Sequence, residues 1–188
     1  MRFLAAILLL ASIDENSWVP PDITPGHTPV RYLVMSNGWR ISPRALVVND
    51  PARVRHLYRA LAGNQRLGYT CGYHWTILFE YRDARPESID INESYETFRR
   101  APKETWAVVA RAFTAAAKHP SHSIAHVRPA HAGDTRCLAP YQPFDTGDGG
   151  WFIVTSKRAF GPARVDALKK ACGKGTTVTI PETMDTGN

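Results

Sequence analysis

Three segments of the chain begin with a proline and continue with apolar residues at helical spacing, and short apolar runs separate them. Proline is favoured at the first helical position because its missing N–H has no helical partner there in any case. In the first segment Asp50 precedes Pro51 and can cap the helix, and Gly63 follows its end. Its apolar residues recur at i, i+3, i+4 and i+7, which predicts an amphipathic helix.

The other two segments follow the same plan. The second, between Pro102 and Pro120, predicts a helix of about 17 residues, long enough to lie across a sheet. The third begins at Pro162 and stops before Gly173. The residues expected to face inward are Trp106, Val109, Ala110, Phe113 and Ala117 in the second helix, and Val165, Leu168 and Cys172 in the third.

Seven short runs rich in β-branched and aromatic residues predict strands. They cover residues 30–35, 44–48, 74–81, 88–92, 123–128, 151–156 and 176–180. Short links join several neighbouring runs, and a hairpin is expected around Asp83 to Pro86. The expected fold class is α+β, with an antiparallel sheet of about five to seven short strands and three helices mainly on one face.

The N-terminal region differs in composition from the rest. Residues 1–12 carry Arg2 and then an apolar run, which is too short to span a bilayer and is typical of a secretory signal peptide. The alternative is a buried N-terminal helix or strand. Residues 13–29 form a Pro-rich extension, and 30–188 are expected to form a single α+β domain. The sequence therefore predicts a periplasmic or extracellular protein without a transmembrane span in its mature form.

An exported chain can keep disulfides, and this chain has three cysteines, so one bridge leaves one thiol over. Pairing Cys137 with Cys172 would close a loop of about 36 residues and contribute on the order of 4 kcal/mol. Pairing Cys71 with Cys137 is also open. The long loop between Pro129 and Gly150 is expected to be either functional or held down by Cys137.

Cys71 and His74 raise the alternative of a cysteine hydrolase. Alternation along a strand places Cys71 on one face with Trp75, Ile77 and other apolar residues, whereas His74 points to the opposite face. A nucleophile and its base must be within hydrogen-bonding reach of each other. The pattern therefore favours a packed cysteine over a catalytic pair.

A histidine-rich stretch, containing His119, His122, His126 and His131, raises a second enzymatic alternative, a metal-dependent hydrolase. Pro120 separates His119 from His122, and His122 lies about 13 Å from His126 along an extended strand. This spacing is too wide for one zinc ion unless the chain turns, so the candidate zinc ligands are His119 and His122, with His74 as a further candidate. No metal or other cofactor is assigned from the sequence.

The leading expectation is a small exported protein that acts by binding another protein, as an inhibitor or immunity-type factor of the bacterial envelope. The candidate binding residues lie in and beside the long loop: Arg136, Tyr141, Phe144 and Trp151. The formal net charge of +6 is compatible with an acidic partner. Basic helix faces occur at Arg53, Arg55 and Arg59 and at Lys169 and Lys170, but no nucleic-acid motif accompanies them, so no nucleic acid is expected.

Overall fold

The computed structural model describes residues 23–36, 45–63, 75–91, 103–118, 123–131, 134–141, 143–155 and 161–180. The helices within these ranges are α1 (Pro51–Leu61), α2 (Lys103–Lys118) and α3 (Pro162–Cys172), together with one 3-10 helix (Arg136–Tyr141). The strands are β1 (Pro29–Ser36), β2 (Ala45–Val48), β3 (Trp75–Tyr81), β4 (Glu87–Ile91), β5 (Ser123–Arg128), β6 (Phe144–Asp145), β7 (Trp151–Thr155) and β8 (Thr177–Thr179).

These strands form two antiparallel sheets of four strands each. The first sheet has the order β2-β1-β3-β4, and the second has the order β6-β7-β5-β8. The hairpin expected between residues 83 and 86 joins β3 to β4, where Trp75 lies opposite Ile91. The α+β class and its antiparallel pairing are confirmed, and the structure adds that the strands divide between two sheets.

The two sheets and the helices stack as four layers. Helices α1 and α2 cover one face of the first sheet, over a core that includes Phe79 and Leu57. The opposite face of this sheet packs on the second sheet, where Leu78 and Phe144 belong to one apolar cluster. The outer face of the second sheet is covered by α3 and the 3-10 helix. Each sheet therefore carries helices on one face only.

Helix α1 forms as its sequence predicts. The Asp50 carboxylate accepts a hydrogen bond of 2.8 Å from the backbone N–H of Arg53, which caps the first turn. The four apolar positions of the pattern are all buried: Val54, Leu57, Tyr58 and Leu61. The remaining positions of α1 are exposed, except Ala60, which is half-buried.

Helix α2 is rotated relative to the expectation. Val109 and Phe113 are buried as predicted, but Ala112 and Ala116 complete the buried face, while Trp106 and Ala117 are only partly buried. The ring of Phe113 stacks on Trp75 with a centroid distance of 4.8 Å, which fixes α2 against β3. Alanine-rich helices present similar small residues on several faces, so the apolar spacing alone does not define the contact face.

The loop between β5 and β7 is attached to the second sheet at several points. Leu138 in the 3-10 helix is fully buried, and Cys137 forms a disulfide with Cys172 at the end of α3. Arg31 of β1 donates hydrogen bonds to the carboxylate of Glu80 and to the backbone carbonyl of Pro143, which connects this loop to the first sheet. The disulfide is one of the two pairings that the sequence leaves open, and Cys172 faces inward as expected.

Candidate functional site

The solvent face of α1 carries positive charge without any carboxylate. Because the apolar positions face the core, the polar positions spread across the exposed side of the helix, which we call the basic ridge: Arg53, Arg55, His56 and Arg59. No acidic residue occurs between Pro51 and Leu61. The nearest one, Asp50, is occupied in capping the helix. The ridge is therefore a surface of one sign.

A cleft of about 500 Å³ lies on one side of the basic ridge, and we call it the large cleft. It runs between α1 and the chain that enters β1, and its volume falls within the range of about 300–1,000 Å³ that is usual for ligand pockets. Its lining residues are His27, Thr28, Pro29, Val30, Pro51, Arg55, Tyr58, Arg59 and Arg82. Three guanidinium groups thus surround a partly apolar floor, and no carboxylate is among these residues.

A smaller cleft of about 190 Å³ lies on the other side of the ridge, between α1 and α2. Arg53, His56 and Arg111 line it together with the ring of Tyr32. Burial raises the pKa of the Tyr32 phenol, and the nearby Arg53 guanidinium partly opposes that rise. The ridge is consequently basic on both of its flanks.

The floor of the large cleft is held by a hydrogen-bond network around Tyr58. Its hydroxyl donates to the carbonyl of Thr24 at 2.7 Å and accepts from the backbone N–H of His27 at 2.8 Å. The backbone N–H of Thr24 donates in turn to the Glu87 carboxylate, which also accepts from the hydroxyl of Tyr81. Burial of the phenol is the main reason that the pKa of Tyr81 is raised. The segment before β1 is therefore fixed to both α1 and the β3–β4 hairpin.

The rim of the large cleft is fixed from the hairpin side. The Asp83 carboxylate accepts hydrogen bonds from the backbone N–H and the hydroxyl of Thr28, and the backbone N–H of Arg82 donates to the carbonyl of Thr28. The Thr28 N–H bond is the largest cause that lowers the pKa of Asp83, so this carboxylate stays ionised and engaged with Thr28. Arg82 is exposed at this rim, and it lines the same cleft as Arg55 and Arg59.

This arrangement is suited to anions. Guanidinium groups remain charged at all physiological pH values, and their planar set of donors matches a carboxylate or a phosphate. Among the described residues no ion pair involves the side chains of Arg55, Arg59 or Arg82, whereas Arg31, Arg128 and Arg136 each pair with a carboxylate. The charge on the cleft side of the ridge is thus available to an external partner.

The predicted binding residues of the long loop lie apart from this site. Phe144 is fully buried between the sheets, and Tyr141 and Trp151 are half-buried at the margin of the outer core. Arg136 is exposed, and its guanidinium pairs with the Asp134 carboxylate at 2.9 Å. This pairing through hydrogen bonds lowers the pKa of Asp134 to about 2. These four residues therefore lie outside the basic ridge and the large cleft.

The residues of the two enzymatic alternatives lie mostly outside the described ranges. Cys71, His74, His119 and His122 all fall there, as does the predicted signal peptide. His126 is described, and it lies half-buried on β5 against Phe152 with a centroid distance of 5.1 Å. Burial lowers the pKa of His126. Within the described ranges, no three histidine, cysteine or acidic side chains are grouped to hold a metal ion.

The order of residues in α1 indicates the basic ridge, although the overall composition of the chain does not. The pattern identifies Arg53, Arg55 and Arg59 as a basic face, and the complete lack of acidic residues in α1 distinguishes it from the mixed charges usual on surface helices. His27 and Arg82 could not be added from the sequence, because they come from segments far from α1 along the chain.

No family model, curated protein or solved structure matches this chain at a significant level. In the part of the chain that the structure describes, no helix combines the length and apolar character needed to cross a bilayer. Function is therefore inferred from the geometry and charge of the site itself.

Proposed function

We propose that this protein is exported and acts by binding an acidic protein through the basic ridge, as an inhibitor or immunity-type factor of the bacterial envelope. The observation that carries the proposal is the basic ridge of Arg53, Arg55, His56 and Arg59, exposed on a helix without a carboxylate and with a basic cleft on each side. A surface of one sign accelerates encounter with a partner of opposite sign and disfavours partners of like charge.

Arginine also supplies binding energy in such an interface. It is enriched at the centres of protein–protein interfaces, where its planar donor group can pair with carboxylates. The ridge lies on a helix whose inner face is buried in the core, so its arginines are displayed from a rigid element. Little conformational entropy is lost from the backbone when the partner binds.

Export is supported by two further features. The apolar run in residues 1–12 has the character of a signal peptide, and a disulfide such as Cys137–Cys172 persists in oxidising compartments. Cell fractionation tests this part of the proposal. We expect the protein in the periplasm or medium, with a mass lower by roughly the first dozen residues. An intact chain in the cytoplasm would contradict export.

Affinity capture from the native envelope tests the binding function. We compare the wild type with the double variant Arg55→Gln/Arg59→Gln and with Lys169→Gln/Lys170→Gln, which removes the same charge from the exposed face of α3. The amount of partner captured by the Arg55→Gln/Arg59→Gln variant is expected to fall by about ten-fold or more. The Lys169→Gln/Lys170→Gln variant should capture the same amount as the wild type. The complex should also weaken as salt rises.

Two outcomes would overturn this function. Equal capture by all three proteins would mean that the ridge does not contribute, and equal loss in both variants would mean that binding depends only on total charge. Stoichiometric zinc in the purified protein, lost when His119 and His122 are replaced, would favour the metal-dependent hydrolase instead.

A further inference from the structure

We propose that the large cleft receives an extended acidic segment of the partner, which lies along the open side of β1 and carries two carboxylates spaced two residues apart. This inference rests on the proposed function and deepens it, because it states how the acidic partner is recognised. It uses the cleft between α1 and the start of β1, with Arg82 as a contact that the basic ridge does not include.

The first observation is an incomplete pairing of β1. Strand β3 pairs with β1 from Pro29 to Ser36, with a shift of register at Val30, whereas β2 pairs with β1 only from Tyr32 to Met35. Among the described residues, Pro29 and Arg31 therefore pair with a strand on one side only, and Val30 between them is paired with neither strand. Pro29 and Val30 line the large cleft, so this open side borders the cavity. An extended peptide is the chain conformation that can pair with such an edge.

The second observation concerns the spacing of charge. Arg55 and Arg59 are four residues apart on α1, so they lie on one face and about 6 Å apart along the helix axis. In an extended peptide, side chains at positions i and i+2 point to the same side and are separated by about 6.6–6.8 Å. A Glu-x-Glu segment that lies in the large cleft and runs along the axis of α1 would therefore present its two carboxylates to this pair of arginines at nearly matching spacing.

The third observation is that the binding surface is fixed in advance. Hydrogen bonds from the Tyr58 hydroxyl and to the Asp83 carboxylate hold the chain from Thr24 to Thr28. Ile23, at the start of this segment, is fully buried, and its carbonyl accepts from the backbone N–H of Gly63. The segment would bind to a wall that is already ordered, so ordering of the protein would cost little affinity.

The test uses the intact folded protein and two capped peptides of equal composition. One is Thr-Glu-Thr-Glu-Thr, which has the alternating spacing, and the other is Thr-Thr-Glu-Glu-Thr, which has adjacent carboxylates. Binding is followed by ¹H–¹⁵N chemical-shift titration. We expect the alternating peptide to shift the amide signals of Val30, Arg59 and Arg82, and to bind about five-fold or more tightly than the adjacent peptide.

A matched pair of variants tests the cleft. Arg82→Gln removes the third positive charge that lines the cleft, and it is expected to weaken the binding of the alternating peptide by about five-fold. Arg85→Gln changes an exposed arginine of the same hairpin that does not line the cleft, and it should leave the affinity unchanged. N-methylation of alternate peptide bonds should also weaken binding, because it removes the donors needed to pair with the edge of β1.

Three results would overturn this inference: equal affinity for both peptides, equal effects of Arg82→Gln and Arg85→Gln, or saturation of the same signals by inorganic phosphate at similar concentration. The last result would define a small-anion site. If the Arg55/Arg59 variant loses the captured partner while Arg82→Gln captures it normally, the cleft proposal falls and the ridge function stands. Normal capture by both variants would overturn the two proposals together.

Discussion

The hydroxyl of Tyr58 on α1 donates a hydrogen bond of 2.7 Å to the backbone carbonyl of Thr24, in the segment that precedes β1. Through this bond the helix that carries the basic ridge and the wall of the large cleft hold one another in place. The same hydroxyl accepts from the N–H of His27, so one oxygen satisfies two backbone groups.

Replacing Tyr58 with phenylalanine removes both hydrogen bonds and keeps most of the ring packing. We expect the free energy of unfolding to fall by about 1–2 kcal/mol, because a partly buried carbonyl loses its donor. Urea denaturation measures this loss. Tyr81→Phe serves as the comparison, because it removes one hydrogen bond to the Glu87 carboxylate while the N–H of Thr24 still donates to that carboxylate. The free energy of unfolding should therefore fall less in Tyr81→Phe than in Tyr58→Phe. An equal or larger loss in Tyr81→Phe would contradict the role assigned to Tyr58.

The disulfide between Cys137 and Cys172 joins residues 35 positions apart. The double variant Cys137→Ala/Cys172→Ala is expected to lose about 2–4 kcal/mol of stability, since the unfolded chain regains the entropy of an open loop. Cys71→Ala provides the control that keeps the bridge. Thiol titration of denatured, unreduced wild type should find one free thiol, and that thiol should disappear in Cys71→Ala. Three free thiols would show that no bridge forms.

Gly150 lies against His126, and a Cβ at position 150 would overlap Nε2 of the imidazole and lie 2.7 Å from its Cε1. Gly150→Ala is therefore expected to destabilise the protein by about 1–3 kcal/mol, because His126 is confined by Phe152. Combining it with His126→Ala removes the overlap. The free energy of unfolding that the double variant loses should be smaller, by about 1 kcal/mol or more, than the sum of the losses in the two single variants. Additive losses would refute this contact as the cause.

Asp148 has a pKa lowered to about 2, first by the hydroxyl of Thr146 and further by the N–H of Gly150 and the charge of Arg128. Since the folded-state pKa lies below that of the unfolded chain, the resulting stability is present above about pH 4 and is lost as the pH falls toward 2. Thermal unfolding between pH 2 and 5 should show a steeper acid loss for the wild type than for Asp148→Asn. In an NMR titration, Thr146→Val should raise the pKa of Asp148, and an unchanged midpoint would contradict the assigned cause.

Local patterns in the sequence predict most elements and few of the contacts between them. The proline-started helices, the Asp50 cap and the seven strand segments all depend on neighbouring residues, and all seven segments contain a strand in the structure. The sequence does not predict strand β6, because Phe144 and Asp145 are its only two residues. Two residues are too few to show the alternation of a strand. The sequence therefore places Phe144 in a loop, although its side chain is buried between the two sheets.

The candidate site divides in the same way. The basic ridge can be predicted from one segment of the sequence, because helical spacing places the apolar residues of α1 inward and therefore its arginines outward. The large cleft cannot be predicted in this way, because His27, Arg55 and Arg82 come from three segments that meet only when α1 packs on the first sheet.

By itself the sequence determined which residues of each helix and strand share a face, since that depends on the fixed periods of about 3.6 and 2 residues. Only the tertiary structure decided that the strands form two stacked sheets and that Cys137 pairs with Cys172 rather than with Cys71. Strand β3 buries residues on both of its faces, Phe79 beneath the helices and Leu78 against the second sheet, and the neighbour that covers each face depends on the packing of residues far apart along the chain.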